Sequence, residues 1–405
     1  MAVSEKLKFV LVGCGRISTL HVLGYENNAD AELYGVFDKN KKCAQEFAKK
    51  YGVSKIYDSY EQVLQDPAVT AVELLVPHHL HCEMTMQACE AKKHVSVQKP
   101  MALNLAECDK MIESAKKNGV KLKVFENFIF YPPYQLAKEM LVKGEIGEPV
   151  SIRYKMNTGD LGSVNAPGAA ARAKLSGIDL EAAGLKETGW RVDPKSWVWR
   201  MNDTLSGGGP LVFDDGYHKF SVIMYMFGDV EKVSAWIDST AVLPGIFQDC
   251  PATIMWKHKS GKQYGIMDIV SSKDMFIGSK YYCCDERMEI TGSRGVIWVT
   301  RCTATMMPTV APVVMYKDGK VTEYWDMPAD WGDSFKNSTL DFIDALKYNR
   351  EPVLSGERAR EVLKFSLATI ESANKSKEVF LDKYEDRKLP KRKGFFRAFG
   401  NHRKL

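Results

Sequence analysis

The 405-residue sequence has no Cys-x-x-Cys pair, no internal repeat, and no apolar run approaching the ~18 residues that a membrane-spanning helix needs. Its nine cysteines are scattered and odd in number, which argues against a disulfide framework and for reduced thiols. Residues 1–8 are largely polar and the apolar run 9–12 is too short for a signal-peptide core, so a cytoplasmic protein with no membrane partner is expected. Net positive charge is confined to one place. Residues 387–405 hold eight Lys or Arg and no acid, and the formal charge of +5 less those eight leaves −3 for the body. A mildly acidic body with a basic end does not form a nucleic-acid groove, and the tail is expected to be solvated or to touch another subunit.

What is present describes a globular protein: 45% hydrophobic and 26% charged residues. The length exceeds the ~250 to 300 residues at which a single core stops growing, so two domains are expected. Runs at 7–12, 31–37, 71–76, 94–97 and 121–125 have strand composition, and amphipathic stretches at 19–25, 41–50, 81–91 and 105–118 alternate with them as helices. That rhythm predicts an α/β fold whose first part is a doubly wound, mostly parallel sheet, with strand-to-helix turns gathered at one edge. Beyond residue 127 the pattern becomes a helix at 134–143 and then β-rich runs at 150–155, 231–237, 252–258, 263–270, 287–291 and 296–300. These predict an α+β domain with a large open mixed or antiparallel sheet, closed by helices at 334–348 and 357–374. The expected division is a nucleotide-binding domain over 1–127, a substrate-binding and oligomerisation domain over 128–386, and a basic tail over 387–405. Residues 158–209 are polar, Gly-rich and aperiodic, yet carry Trp190, Trp197 and Trp199; this reads as a segment that covers substrate.

Gly13-Cys14-Gly15-Arg16-Ile17-Ser18 lies between the first strand and the first helix, where a dinucleotide pyrophosphate needs close backbone approach and a helix N-terminus. Ser18 stands where the third fingerprint glycine is usual. Asp38, at the end of the second strand, is placed to accept the adenosine ribose hydroxyls, and a 2′-phosphate would meet its charge. NAD is therefore expected over NADP, although Lys39 and Lys41 are near enough in sequence to compensate.

Two segments lie at the strand ends where a ligand crevice should open: Pro77-His78-His79-Leu80-His81 and Gln98-Lys99-Pro100. Far downstream runs Gly207-Gly208-Gly209-Pro210-Leu211-Val212-Phe213-Asp214-Asp215-Gly216-Tyr217-His218. If residues 214–227 are one helix, Asp214 and His218 share a face. A histidine ionises near working pH and suits a general base, a lysine can steady a developing alkoxide, and an aspartate can hold a hydroxyl or orient the imidazole. The bunched His78, His79 and His81 lack the partners of an open metal site, and no metal is expected.

Together these motifs resemble, in order and nearly end to end, the glucose-fructose oxidoreductase / inositol dehydrogenase / rhizopine catabolism family, shortened to Gfo/Idh/MocA. The resemblance extends to His21, to residues 144–147, to 289–295 and to the last helix. It implies catalytic roles for Lys99, Asp214 and His218. It also implies cofactor contacts from Gly13, Gly15, Arg16, Ile17, Asp38, Pro77, His78, His81, Gln98, Lys99 and Asn127, and substrate contacts from Lys99, Trp199, Asp214, Tyr217 and His218. Gln98 departs from the family's Glu-Lys-Pro and removes a charge beside the cofactor. Glu126 is open between a nicotinamide contact and a plain turn, and Trp197, Trp199 and Tyr217 between sugar stacking and core packing.

The implied activity is NAD-dependent oxidation of a secondary hydroxyl of a sugar, polyol or glycoside. The long segment before the glycines points to a substituted sugar, such as a glycoside oxidised at C3 of its glucosyl ring. Two alternatives stand beside it: a glycoside hydrolase that uses retained NAD for transient oxidation, and a non-catalytic NAD(P)-binding sensor or scaffold. A homo-oligomer built on the second sheet is implied as well.

Overall fold

The structure is a computed structural model that describes residues 6–159, 199–200, 202–243, 246–272, 275 and 277–387. Trp190, Trp197, most of the 158–209 segment and all of the basic tail after Arg387 lie outside the described residues.

The first sheet has six strands: β1 (Leu7–Val12), β2 (Ala31–Phe37), β3 (Lys55–Ile56), β4 (Ala71–Leu74), β5 (His94–Gln98) and β6 (Leu122–Phe125). Their order is β3-β2-β1-β4-β5-β6, with every pair parallel. Strands buried on both faces read as continuous apolar runs, and Phe9 to Val12 are indeed all at most 1% exposed. The strand order reverses between β1 and β4. That switch point is where such sheets open a ligand crevice at their carboxyl edge. The helices are set by local signals at their ends: Asn40, Ser59 and Asn104 cap three of them through their side chains, and Gly52 and Gly119 end two in the left-handed region.

The remaining strands are β7 (Pro149–Thr158), β8 (Val230–Ile237), β9 (Thr240–Leu243), β10 (Ile246–Gln248), β11 (Ala252–His258), β12 (Tyr264–Ser271), β13 (Cys284–Gly292), β14 (Gly295–Val299), β15 (Val313–Lys317), β16 (Lys320–Tyr324) and β17 (Val379–Phe380). Nine of them form one sheet in the order β16-β15-β14-β13-β7-β12-β11-β8-β17, and β9 and β10 form a separate hairpin. The large sheet is mixed, because β7 and β12 pair in parallel while the other neighbours are antiparallel. Alternating burial along β11 shows one face packed and the other wet.

The helix Trp331–Lys347, expected to close the second domain, instead returns to the first sheet. Phe342 packs with Phe9, Tyr25, Ala31 and Ala71 in one apolar cluster, and a side chain at Gly24 would collide with Thr339 at 2.2 Å. Arg387 is likewise anchored and not the start of a loose end: it donates to the Leu103 carbonyl and lies 5.2 Å over the Phe213 ring. Beside it, the Asp386 carboxylate accepts the N–H groups of Leu105 and Ala106 at the start of a first-sheet helix.

Candidate active site

At the carboxyl edge of β1, Gly13 has φ +110°, and a Cβ there would stand 2.4 Å from the Leu75 carbonyl oxygen. A Cβ on Gly15 would meet nothing within 4 Å, so the loop is tight against β4 and open above. Ser18 is fully buried and its hydroxyl donates to the Gly15 carbonyl, so the missing third glycine is replaced by a small group that ties the loop to its own helix. Asp38 accepts the Cys14 N–H at 2.8 Å and the Asn40 N–H at 2.7 Å, which sets a carboxylate across the mouth of the loop. Lys41 is paired with Asp58 at 2.7 Å. Open space over a glycine loop with an acid at its rim fits the pyrophosphate and free ribose hydroxyls of NAD.

One cleft brings together Ile17, Gln98, Lys99, Asn127, His218 and Arg200, walled by the rings of Phe128, Trp331, Phe335 and Tyr282. Arg16 stands at its edge, donating to the Tyr282 hydroxyl at 2.7 Å. Lys99 Nζ donates to Asp214 Oδ1 at 2.7 Å and to the Asp214 carbonyl at 2.8 Å. An ammonium has three donors, so one remains for a ligand. Asp214 Oδ2 accepts from Arg200 at 2.7 Å. Burial alone would raise the Asp214 carboxyl, but Arg200 and Lys99 outweigh it and hold the group well below the usual carboxylate range.

The expected pairing of Asp214 with His218 on one helical face is not what forms. Residues Pro210–Asp215 make a π-turn before the helix Gly216–Phe227, and the wider turn rotates Asp214 away. The turn is held by the Asp249 carboxylate, which accepts the N–H groups of Leu211 and Val212. That carboxylate explains Gly209, where a Cβ would strike Asp249 at 2.1 Å. Asp214 is 1% exposed, and its carboxylate meets Lys99 and Arg200 rather than the imidazole.

The imidazole partner is Glu126. His218 Nδ1 lies 2.7 and 2.8 Å from the two Glu126 oxygens, and its ring stacks on Phe128 at 4.2 Å with 11° between planes. Glu126 Oε1 also accepts the Phe128 N–H at 2.8 Å. Burial pushes the Glu126 carboxyl up to about 7, opposed by the Phe128 N–H and by Lys99 and Lys219. Burial, helped by Lys99 and Lys219, pushes His218 well below its ordinary value. Burial therefore favours the neutral imidazole, and when Glu126 is ionised the ring proton belongs on Nδ1 facing it, which makes Nε2 the lone-pair nitrogen. Glu126 ends a strand that is plain in the sequence, but its fold partner arrives 92 residues later.

Other expected contacts are placed differently. Tyr217 is fully buried and donates to the Ala359 carbonyl at 2.9 Å, a core residue and not a sugar platform. His81 is fully buried, with its ring nitrogens 2.9 Å from the carbonyls of Val76 and Pro100; it ties two crevice segments together. His78, which follows Pro77, lies 2.7 Å from the Ser206 carbonyl and 3.6 Å from Asp214, and burial pushes it down to about 3. Both histidines are buried and hold segments of the crevice together. Trp199 packs edge-on against His78 at 4.7 Å rather than joining the described cleft wall. Asn127 is in the cleft, donating to Ser334 at 2.8 Å. Gln98 accepts the Lys99 N–H at 2.9 Å and lies 3.1 Å from His21, whose other nitrogen meets Glu73 at 2.7 Å. A relay of contacts thus runs from Gln98 through His21 to the Glu73 carboxyl group.

A six-stranded parallel sheet with a dinucleotide loop, joined to a mixed sheet across a cleft holding lysine, histidine and carboxylates, defines a two-domain NAD-binding oxidoreductase. Residues 7–126 match the model described as "Oxidoreductase family, NAD-binding Rossmann fold", and residues 184–381 match its companion, "Oxidoreductase family, C-terminal alpha/beta domain". The chain belongs to the Gfo/Idh/MocA family. It is 27% identical over 381 residues to myo-inositol 2-dehydrogenase of Thermotoga maritima, covering 93% of this chain and 99% of that one. It is 25% identical over 215 residues to levoglucosan dehydrogenase of Pseudarthrobacter phenanthrenivorans, covering 52% and 47%. Among solved structures, levoglucosan dehydrogenase in complex with NADH and levoglucosan superposes with a TM-score of 0.72 at 20% identity, covering 94% of this chain and all of that one. At that identity the superposition shows the fold. No helix among the described residues is long and apolar enough to cross a membrane.

Proposed function

We propose that this oxidoreductase oxidises a secondary hydroxyl of a sugar, polyol or glycoside to a ketone, with His218 as general base. The observation that carries the reading is His218, backed by buried Glu126, lining the same cleft as the Lys99 ammonium. Bound NAD supplies the hydride acceptor at its nicotinamide ring. Ionised Glu126 accepts a hydrogen bond from His218 Nδ1–H and so fixes the tautomer that leaves Nε2 able to take the substrate hydroxyl proton. Lys99, steadied by Asp214, directs its remaining N–H at the developing alkoxide. Phe128, Trp331 and Phe335 give the cleft an apolar wall against which the face of a ring can rest. The matched relatives named for myo-inositol and levoglucosan, both polyhydroxylated rings, support the substrate class.

The narrower reading places oxidation at C3 of a glucosyl group, yielding a 3-keto glycoside, and rests on the length of the 158–209 segment. A homo-oligomer through the nine-stranded sheet is part of the proposal, supported by the exposure of Met255 and Val321 on its strands. The test incubates the protein and NAD with inositols, free sugars and aryl glucosides, following NADH and identifying products by mass spectrometry. A ketone formed one for one with NADH supports the reading. Free sugar released without net NADH indicates the hydrolase alternative instead.

A further inference from the structure

The start of the helix Gly216–Phe227 carries a second cluster of charges, of which the chemistry above uses only the field of Lys219. Lys219, the residue after the base, is fully buried. Its Nζ donates to Asp215 Oδ2 at 2.6 Å and to Glu286 Oε1 at 3.2 Å, and lies 4.8 Å from the centre of the Phe128 ring. Glu286, from β13, is consumed internally: it also accepts the Thr303 N–H at 2.9 Å and the Thr303 hydroxyl at 3.2 Å.

Asp215 differs. Its side chain is 29% exposed, it lines the same cleft as Lys99 and His218, and among the described residues only its Oδ2 has a side-chain partner. Burying a lysine between two carboxylates carries a desolvation cost that hydrophobic residues of similar size would avoid. Here the arrangement holds one carboxylate oxygen, Oδ1, at a fixed place in the cleft, with Lys219 and Glu286 acting as positioning residues.

We propose that Asp215 sets substrate specificity: its Oδ1 accepts a second ring hydroxyl of the substrate while His218 takes the proton from the first. The inference rests on the dehydrogenase reading above and narrows it to rings that present a donor to Asp215. A monohydroxylated alcohol, or an analogue lacking that one hydroxyl, is discriminated against.

The experiment compares kcat/KM of wild type and Asp215→Asn on the best cyclitol or sugar found and on its series of monodeoxy derivatives, with NADH binding and Tm as checks on folding. Removing the hydroxyl that meets Asp215 should lower wild-type kcat/KM by about 10- to 150-fold, the range for a hydrogen bond to a charged group. The variant should lose a similar factor on the parent, mainly through KM, and lose no more than about twofold further on that deoxy derivative, because the two changes remove one interaction. If the losses multiply, or if no hydroxyl besides the oxidised one matters to the wild type, the proposal is overturned; the second result needs no variant. If nothing in the series reduces NAD, the dehydrogenase reading fails on its own. Displacement by the same series, read from NADH fluorescence, then decides the Asp215 assignment: one deoxy derivative binding more weakly to wild type alone supports it, and equal binding refutes it.

Discussion

His218 Nδ1 and Glu126 Oε1 lie 2.7 Å apart in a site where both side chains are buried. The carboxylate ties the end of β6 to the helix that follows the glycine run, and in the proposed mechanism it fixes the tautomer in which the imidazole serves as base. Oxidation requires ionised Glu126 and neutral His218, so kcat/KM should be high above the Glu126 pKa of about 7 and fall as pH drops through it. Glu126→Gln preserves shape but loses the charge, and should lower kcat by about 10²-fold, the low end of acid–base contributions. The same variant should flatten the acidic limb, read from pH–rate profiles.

Lys99→Met should leave NAD affinity within a few-fold and lower kcat by about 10²- to 10³-fold, the range for removing a preorganised donor to an oxyanion. It strands Asp214 with Arg200, so Tm should fall as well; calorimetry separates the two effects.

Two glycines of the cofactor loop should fail differently. Gly13→Ala forces a side chain into the Leu75 carbonyl at a φ that L-residues rarely adopt, so the loss should appear as instability, by about 1–3 kcal/mol in denaturant titration. Gly15→Ala meets no protein atom, so Tm should hold while NAD affinity drops at least tenfold by calorimetric titration.

Tyr217→Phe removes a buried hydroxyl from the Ala359 carbonyl. It should cost about 1–2 kcal/mol of stability and leave KM unchanged, since the ring belongs to the core.

Much of the fold is legible in the residues because the first-sheet strands are buried on both faces and so are apolar throughout, and because Asn and Ser caps and Gly stops mark the helices. The two-residue strand β3 is too short to carry a period. The return of the helix Trp331–Lys347 to the first sheet leaves no local trace, since an apolar face does not say which sheet it covers. In the site, Lys99 and His218 follow from their motifs. The shared face expected of Asp214 and His218 does not form because a π-turn looks like the start of a helix in sequence, and spacing of four then implies a pairing the wider turn breaks. Glu126 was visible as a residue and not as a partner, for its pairing depends on two distant segments meeting. Tyr217 lies beside the base in sequence, yet a helix turns neighbouring side chains about 100° apart, and its face is the packed one.

The most direct test of His218 as the base of an NAD-linked oxidation is NADH formation by wild type and His218→Asn over a panel of inositols, sugars and aryl glucosides, with NAD binding titrated in both. The account predicts substrate-dependent NADH from the wild type, loss of at least 10²-fold in the variant, and unchanged NAD affinity. Retained turnover in His218→Asn, or absence of NAD binding to the wild type, would contradict it.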